Sequence, residues 1–256
     1  MRTNPTIGIQ GYGMVGNTVH EGLVTLGYKD FELFDPKLNI NRNAIPDLDV
    51  LFYCVNDENG VISDVSLIKE MVGKLVIIKT TLQIGAYDEI KARCPGVRFV
   101  YMPEFLSEAT ALHDFLHPDR MVLAGAPADV AEAYQIFIKI NAPVFFTTPV
   151  EAIIIKLSAN AYYALKVTFW NHVYDLVTRC GGRYERVKQA QQMSKFIDGA
   201  HMEVEHKGGR GFGGKCLPKD TKMLKNYIKG LPDNYDFARL LCEILLSNNK
   251  LGGESK

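Results

Sequence analysis

The sequence predicts an α/β fold in which a doubly wound, mostly parallel sheet over residues 1–149 is followed by an all-α domain with a long central helix over residues 150–256. Three observations predict this class. Strand-like and helix-like runs alternate through the first part of the chain. Several of the strands are continuously apolar, as in Leu75-Val76-Ile77-Ile78, which is typical of parallel strands covered on both faces. From about Val150 only helical periodicity remains.

The elements of the first domain begin with a strand at 6–10, a glycine turn, and a helix at 14–26 that Gly27 ends. The elements predicted after them are strands 31–34 and 50–55, helix 61–72, strand 75–79, helix 84–94, strands 97–101 and 121–124, helix 128–139 and strand 144–146. The polar stretch 36–48 is short, so we expect the usual crossover helix to be reduced or absent there.

The second domain is marked by a predicted helix over 151–179. At about 1.5 Å per residue it would span roughly 40 Å, far more than a crossover connection needs. Further helices are predicted at 183–193, 218–228 and 237–248. The glycine- and histidine-rich segment 198–215 is predicted to be an irregular loop, and residues 252–256 a frayed tail.

Composition limits the partners. The 256 residues carry 29 Lys+Arg and 29 Asp+Glu, so no net charge favours nucleic acid, and small ligands are expected. The first residues lead directly into a strand, which leaves no room for a signal peptide. The apolar stretch 152–170 is interrupted by Lys156, Asn160 and Lys166, so no membrane partner is expected.

Cysteines and histidines suggest neither a disulfide frame nor a metal site. The five cysteines are scattered and form no CxxC pair, which is typical of reduced thiols and predicts a cytoplasmic protein. The six histidines show no ligand spacing with carboxylates or cysteines, so no metal is expected.

A dinucleotide site is predicted by the GxGxxG pattern of residues 11–16, placed between a strand and a helix. Gly11 permits the tight turn, Gly13 lets a pyrophosphate approach the backbone, and Gly16 allows close helix packing. The start of the helix, at Met14 and Val15, is the predicted anion site. The pattern is typical of a Rossmann-type domain. The alternative interpretations are an ordinary glycine turn and a flavin site.

The choice of cofactor depends on Asp35, which ends the second strand at the offset expected of the carboxylate that binds the adenine ribose. Its charge would repel a 2′-phosphate. The predicted cofactor is therefore NAD, in preference to NADP.

A nucleophile is predicted in the decapeptide Gly211-Phe212-Gly213-Gly214-Lys215-Cys216-Leu217-Pro218-Lys219-Asp220. Pro218 suits the first helical position, which would place Cys216 just ahead of a helix N-terminus. The helix dipole, with Lys215 and Lys219, would favour thiolate over thiol. The alternative is a glycine loop with an incidental cysteine.

Two further pairs of residues are candidates for a catalytic or binding role. Glu104 and Glu108 are four residues apart, so on a helical turn they would share a face, although early-turn glutamates also suit the helix dipole. Lys156 and Asn160 share a face of an apolar helix. There the lysine must reach an anion, a carboxylate or, by extending along the helix, the solvent.

With these residues aligned, the chain resembles the UDP-glucose/GDP-mannose dehydrogenase family of nucleotide-sugar oxidoreductases. The matches run in family order over nearly the whole chain. They are residues 11–16, Asp35, Lys79-Thr80-Thr81, Pro103-Glu104-Phe105-Leu106 with Glu108, Pro118-Asp119-Arg120, Lys156 with Asn160, and residues 211–220.

The resemblance implies NAD-dependent oxidation of the C6 alcohol of a nucleotide sugar to a carboxylate, with UDP-glucose to UDP-glucuronate as the expected case. One hydride transfer gives an aldehyde, which Cys216 attacks to form a thiohemiacetal. A second hydride transfer gives a thioester, which water hydrolyses. The resemblance also implies a homodimer formed through the long helix.

Residue roles are implied by position. Lys156 would stabilise oxyanions, Asn160 would hold the sugar or its water, Asp220 would order water and protons, and Glu104 would act as the hydrolytic base. Thr81 would lie near the reacting centre and the nicotinamide ribose. The remaining implied contacts are those of Glu108 and Lys219 with the cofactor, and those of Glu104, Phe105, Leu106, Lys156, Asn160, Arg210 and Gly213 with the substrate.

The chain departs from the family pattern in four places, the first of which is a shortened segment after Asp35. It ends at Lys256, where family members continue into a C-terminal nucleotide-binding domain. Phe196-Ile197-Asp198 stands where the family has Arg-Ile-Gly, whose arginine reaches the substrate across a dimer, and Lys195 or Arg210 are the candidates to replace it. Gln83 stands where proline is common.

Two alternative functions remain open. One is a catalytically weak NAD-binding remnant, or a subunit that needs a separate nucleotide-binding chain. The other is a two-electron dehydrogenase of the hydroxyacid or 6-phosphogluconate kind, which would have no use for Cys216.

Overall fold

The computed structural model describes residues 5–35, 47–57, 59–206, 209–232 and 235–252. The prediction for the connection over 36–48 therefore falls almost wholly outside the described residues, as does most of the C-terminal tail. The chain divides into two compact units, residues 1–156 and 157–256. The domain limit between residues 149 and 150 stays a prediction.

The first unit contains a seven-stranded sheet with helices between its strands. Its elements are β1 (Ile7–Gln10), α1 (Met14–Leu26), β2 (Phe31–Phe34), β3 (Val50–Tyr53), α2 (Ser66–Lys69), β4 (Leu75–Ile78), α3 (Ala86–Arg93), β5 (Arg98–Tyr101), α4 (Ala111–Leu116), β6 (Met121–Gly125), α5 (Pro127–Ile136) and β7 (Val144–Thr147).

The strand order is β2-β1-β3-β4-β5-β6-β7, and every neighbouring pair is parallel except β5 with β6. All residues of β1, β3 and β4 are buried, as their apolar sequences predict for strands covered on both faces. Parallel neighbours place their carboxyl ends at one edge of the sheet, and the loops that follow β1, β2, β3 and β4 meet there. The predicted Rossmann-type α/β class is confirmed.

The long helix α6 (Pro149–Arg179) has 31 residues. Pro149 occupies its first position, and Thr148 and Glu151 form a reciprocal cap in which Glu151 Oε2 accepts from Thr148 N at 2.9 Å. Glu151 N donates to Thr148 Oγ1 at 3.4 Å. This capping box is visible in the sequence, and it starts the helix before the predicted residue 151.

The remaining elements are α7 (Tyr184–Gln192), β8 (Glu205–His206), β9 (Gly209–Arg210), α8 (Cys216–Lys229) and α9 (Tyr235–Lys250). Trp170 packs in a small core with Tyr184, Met202 and Val204. In the described parts of the chain, no helix combines the length and apolar character needed to cross a bilayer.

Three local predictions are wrong. The helix predicted at 61–72 forms only over Ser66–Lys69, because the guanidinium of Arg93 binds the carbonyls of Ile62 and Ser63 that a longer helix would use. The region between β5 and β6, where the sequence predicted no helix or strand, contains α4. The segment 198–215 is not wholly irregular, since β8 and β9 pair within it.

Candidate functional site

The glycine turn between β1 and α1 is held by close backbone contacts. Gly11 has φ +87°, and a Cβ there would lie 2.7 Å from the backbone nitrogen of Val55. A Cβ on Gly16 would lie 1.9 Å from the carbonyl oxygen of Gly11. Gly13 differs, because nothing in the described structure lies within 4 Å of a Cβ built on it. The backbone at Gly13 therefore faces open space, as a pyrophosphate-binding turn requires.

The first turn of α1 suits an anion for the same reason. Its N-cap residue is Gly13, which offers no side-chain cap, and no acidic residue lies in the first turn. The amide groups that begin the helix at Met14 and Val15 thus keep donors and a partial positive charge for a ligand. These residues fit the phosphates of a dinucleotide.

Asp35 lies beside this turn, because β1 and β2 are parallel neighbours and both end at the same edge. Its Oδ2 accepts a hydrogen bond of 2.7 Å from the amide of Tyr12, inside the glycine motif. The Tyr12 hydroxyl in turn contacts His20 Nδ1 at 2.6 Å. The structure therefore brings the predicted phosphate and ribose groups together, 23 residues apart in sequence.

The segment after β4 contains Lys79, Thr80 and Thr81, all of which are buried. Thr80 Oγ1 donates to the carbonyl of Val55 at 2.6 Å, which ties this segment to the loop after β3. Thr81, predicted to lie near the reacting centre, is thereby fixed at the carboxyl edge of the sheet.

Glu104 and Lys156 form a buried ion pair. Lys156 Nζ lies 3.2 Å from Glu104 Oε1, and the two side chains are 4% and 7% exposed. Glu104 Oε2 accepts from the amide of Leu106 at 2.7 Å, so each carboxylate oxygen has a donor. The ammonium of Lys156 is therefore paired with a carboxylate, and the alternative that it extends into solvent is excluded.

Phe105 lies against the same lysine. Its ring has Lys156 Nζ at 5.4 Å and the Arg120 guanidinium carbon at 4.2 Å from the centroid. Two cations on one ring hold the Glu104–Leu106 segment in place. Arg120 was noted only as part of a motif, and nothing in the sequence indicated its contact with Phe105.

The expectation that Glu104 and Glu108 share a helical face is wrong. The segment from 102 to 107 is not helical and Glu108 lies in an exposed turn, whereas Glu104 is buried. The reason is the pairing of Glu104 with Lys156 and with the Leu106 amide, which an α-helix would not permit.

In the second unit, Asn160 and Asp220 are joined. Asn160 Nδ2 donates to Asp220 Oδ2 at 2.6 Å, and both side chains are buried. Lys219 Nζ lies 3.6 Å from Asp220 Oδ1. Lys156 and Asn160 are four residues apart on α6.

Cys216 is the first residue of α8, and it is partly exposed. The expectation that Cys216 lies just ahead of the helix is wrong, as is the assignment of Pro218 to the first helical position, because the helix begins two residues before Pro218. Cys216 and Asp220 are four residues apart on α8 and share its face.

The loop before Cys216 is held by Asn248 of α9, a residue the sequence did not single out. Its side-chain oxygen accepts from Phe212 N at 2.7 Å and its nitrogen donates to Phe212 O at 2.8 Å. Gly213 is exposed beside it, and Gly214 has φ +73°. The glycines thus follow an anchored Phe212 and lead directly into the helix of Cys216.

Arg210 uses its guanidinium within the protein. It binds Asp175 at 2.9 Å and both the side-chain and backbone oxygens of Asn171, at 3.0 and 3.1 Å. These bonds fasten β9 to α6. Its predicted contact with a substrate stays a prediction, and most of its donors are already occupied.

The described residues hold no cluster of three or more histidine, cysteine, aspartate or glutamate side chains suited to a metal ion.

The amino-acid sequence is similar to those of curated UDP-glucose 6-dehydrogenases. The chain is 28% identical over 232 residues to a UDP-glucose 6-dehydrogenase of Rickettsia conorii, covering 83% of this chain and 51% of that protein. It is 32% identical over 179 residues to the enzyme of Rhizobium meliloti, covering 65% and 39% respectively. The chain therefore spans about half the length, or less, of these curated relatives.

Solved structures share the fold. A UDP-glucose dehydrogenase from Pyrobaculum islandicum superposes with a TM-score of 0.77 at 23% identity, over 96% of this chain and 69% of that one. A 3-hydroxyisobutyrate dehydrogenase from Mycobacterium tuberculosis superposes with 0.75 at 14% identity, over 97% and 96%. At these identities the likeness concerns architecture alone.

Two family models match consecutive parts of the chain. Residues 40–141 match the NAD binding domain of the UDP-glucose/GDP-mannose dehydrogenase family, and residues 150–250 match its central domain. The matches together cover most of the 256 residues, and the glycine turn and Asp35 lie before the first of them. The chain thus has NAD as its cofactor and belongs to the UDP-glucose/GDP-mannose dehydrogenase family.

Proposed function

We propose that this chain carries out the chemistry of a nucleotide-sugar 6-dehydrogenase, with UDP-glucose as substrate and UDP-glucuronate as product. The observation that carries the proposal is the position of Cys216, one helical turn before Asp220 on α8, where Asp220 is bonded to Asn160. A dehydrogenase that removed only two electrons would need no thiol beside such a pair.

The cofactor is held by the glycine turn and Asp35. The open backbone at Gly13 and the uncapped start of α1 take the pyrophosphate, and Asp35 takes the adenine ribose. NAD⁺, when bound, accepts a hydride in each of the two oxidations. Thr81, Glu108 and Lys219 are the further residues proposed to border it.

In the first half of the reaction, the C6 hydroxyl loses a proton and a hydride and becomes an aldehyde. The Cys216 thiolate then adds to the aldehyde carbon, and the carbonyl oxygen takes the negative charge. Lys156 stabilises that oxyanion, since its ammonium is buried and held by Glu104.

In the second half, the thiohemiacetal oxyanion loses a hydride and becomes a thioester. Water attacks the thioester carbon, the carbon–sulfur bond breaks, and the carboxylate and the thiol are released. Glu104 is the proposed base for the water, while Asn160 and Asp220 order the sugar and the proton network. Phe105, Leu106, Gly213 and Arg210 are the proposed further contacts with the substrate.

The test is to count the NADH formed per sugar consumed when purified protein is given NAD⁺ with UDP-glucose, GDP-mannose or related sugars. Two NADH per sugar, with turnover lost in Cys216→Ser while NAD binding is retained, is the expected result. One NADH per sugar, unaffected by the substitution, would establish the two-electron alternative instead. NAD binding without turnover on any sugar would favour the remnant.

Assembly as a homodimer through α6 is proposed as well. Tyr162, Phe169 and Leu176 recur at intervals of seven residues on α6, and each is more than half exposed in the single chain. Such a stripe is typical of a helix that packs against another. Sedimentation should show a dimer that Phe169→Glu converts to monomer, and a wild-type monomer at micromolar concentration would exclude it. A cytoplasmic location is also proposed, which fits five free cysteines.

A further inference from the structure

Lys79, at the end of β4, is an unusual buried cation. Its side chain is 4% exposed, yet among the described residues no acceptor lies within hydrogen-bond distance of its Nζ and no carboxylate within ion-pair distance. An ammonium in the interior is costly unless it is paired with an anion or reaches water or a ligand. Burial accordingly lowers the pKa of Lys79 to about 8.

This lysine lines a cavity of about 290 Å³ in the first unit. Glu104, Phe105 and Leu106 form another part of the wall, and the segment from Pro118 to Met121 closes a further side. The unpaired donor of Lys79 is therefore directed at space large enough for a polar ligand group.

The charged side chains that the structure describes at and near the cavity balance in number, but none of these carboxylates pairs with Lys79. Lys79 and Lys156 supply two ammonium groups, and Glu104 supplies one carboxylate whose two oxygens are already bonded to Lys156 and to the Leu106 amide. The other titratable or charged groups that face Lys79 or line its cavity are Cys54 at the end of β3 and Asp114, His117, Asp119 and Arg120 between α4 and β6.

None of these neighbours lies within hydrogen-bond or ion-pair distance of the lysine, and Asp119 is exposed. Burial raises the pKa of Cys54 to about 12, so its thiol stays protonated. Asp114 accepts hydrogen bonds from Ser107 N and Thr110 Oγ1 at 2.9 and 2.8 Å. Arg120 adds a further positive charge over Phe105. A negatively charged oxygen brought by a ligand would supply the missing partner.

We propose that Lys79 forms a carboxylate-binding subsite in this cavity, in which its ammonium pairs with an oxygen of the acid produced by the oxidation. The inference rests on the proposed function, because that reaction converts a neutral alcohol into a carboxylate. The pairing needs the protonated lysine, so affinity for the acid should fall about tenfold per pH unit above the pKa near 8. The neutral alcohol substrate should show no such dependence.

The first experiment measures the rate at which acetic anhydride acylates Lys79, read by mass spectrometry of peptides from the protein with NADH in place of NAD⁺, so that UDP-glucose is not oxidised during the measurement. UDP-glucuronate and free glucuronate are compared with UDP-glucose and glucose at pH 7 and pH 9. Both acids should slow acylation of Lys79 at least tenfold at saturation and at pH 7, and the neutral compounds should not. The exposed Lys91 of α3 is the internal control.

The second experiment uses Lys79→Met, with Lys91→Met as the matched control. The affinity for UDP-glucuronate should fall about tenfold or more in Lys79→Met, lose its pH dependence, and stay unchanged in the control. Equal protection of Lys79 by acid and alcohol, or no protection by either acid at any concentration, overturns the subsite, and this result needs no variant to fold.

The two proposals fail in different ways. If NADH is formed from UDP-glucose but Lys79→Met binds UDP-glucuronate as the wild type does, the subsite is wrong and the function stands. If no nucleotide sugar yields NADH while glucuronate still protects Lys79, the function is wrong and the subsite stands.

Discussion

Breaking the Glu104–Lys156 pair should destabilise the first unit strongly. The side chains are 7% and 4% exposed and their charged atoms are 3.2 Å apart. Removing one partner of so buried a pair costs about 3–5 kcal/mol, because the other charge is left without compensation, whereas an exposed pair contributes at most about 1 kcal/mol.

The two single substitutions should differ in a definite order. Glu104→Gln keeps an acceptor for the Leu106 amide but leaves Lys156 and Lys79 as two buried cations with no carboxylate between them, so its cost should lie at the upper end. In Lys156→Met the carboxylate of Glu104 keeps its hydrogen bond from the Leu106 amide and the electrostatic attraction of Lys79. The loss of stability should therefore lie at the lower end of the range. The double variant removes both members and should lie within about 1 kcal/mol of the wild type.

The assay is urea denaturation followed by circular dichroism, with the free energy of unfolding determined for the wild type, both single variants and the double variant. Glu89→Gln is the matched control, since Glu89 pairs with Arg93 at 3.6 Å on the exposed face of α3, and it should cost no more than about 0.5 kcal/mol. If both single variants lie within about 1 kcal/mol of the wild type and their effects simply add, the pair is not the buried, mutually dependent unit argued above.

Further predictions concern the glycine turn, the cation over Phe105, and the helix cap. Gly16→Ala should destabilise the unit by more than about 2 kcal/mol, because its Cβ would lie 1.9 Å from a backbone carbonyl oxygen. Gly13→Ala, whose Cβ meets nothing within 4 Å, should instead melt as the wild type does and lose only NAD affinity, measured by calorimetry; unchanged NAD affinity would contradict the proposed pyrophosphate position. Arg120→Leu should weaken substrate binding by roughly 0.5–2 kcal/mol, read as a higher KM, with recovery in Arg120→Lys, and an unchanged KM would exclude a role through Phe105. Hydrogen bonds from neighbouring threonines lower the pKa of Glu151 from 4.5 to about 2, so its stabilisation of the helix start is complete above pH 4.5 and is lost as pH falls towards 2; acid titration of Glu151→Gln should lack this component of the transition.

Elements whose signals are local could be predicted from the amino-acid sequence alone. The helix at Met14–Leu26 and the strand at Phe31–Phe34 begin and end where predicted, since periodicity and a terminating glycine are properties of neighbouring residues. The glycine motif and Asp35 could be placed together for a related reason, because parallel strands that follow one another end at one edge.

The pairing of residues far apart in sequence could not be predicted and is known only from the three-dimensional structure. Lys156 pairs with Glu104, 52 residues away in sequence, and Asn160 with Asp220, 60 residues away. No local pattern distinguishes these two carboxylates from the others of the chain. These contacts also explain why the helical turn predicted from the spacing of Glu104 and Glu108 does not form. The carboxylate of Glu104 accepts a hydrogen bond from the amide of Leu106 in its own loop.

The thiol region shows both contributions. Glycine, proline and cysteine in one decapeptide predicted a reactive loop leading into a helix from residue type alone. That the helix starts at Cys216 itself, and that Asn248 holds the loop through Phe212, followed only from packing. Local propensity selects which elements can form. The burial of charged groups then determines where these elements end and which side chains pair. An unpaired charge in the interior costs more free energy than the helix propensity of a few residues contributes.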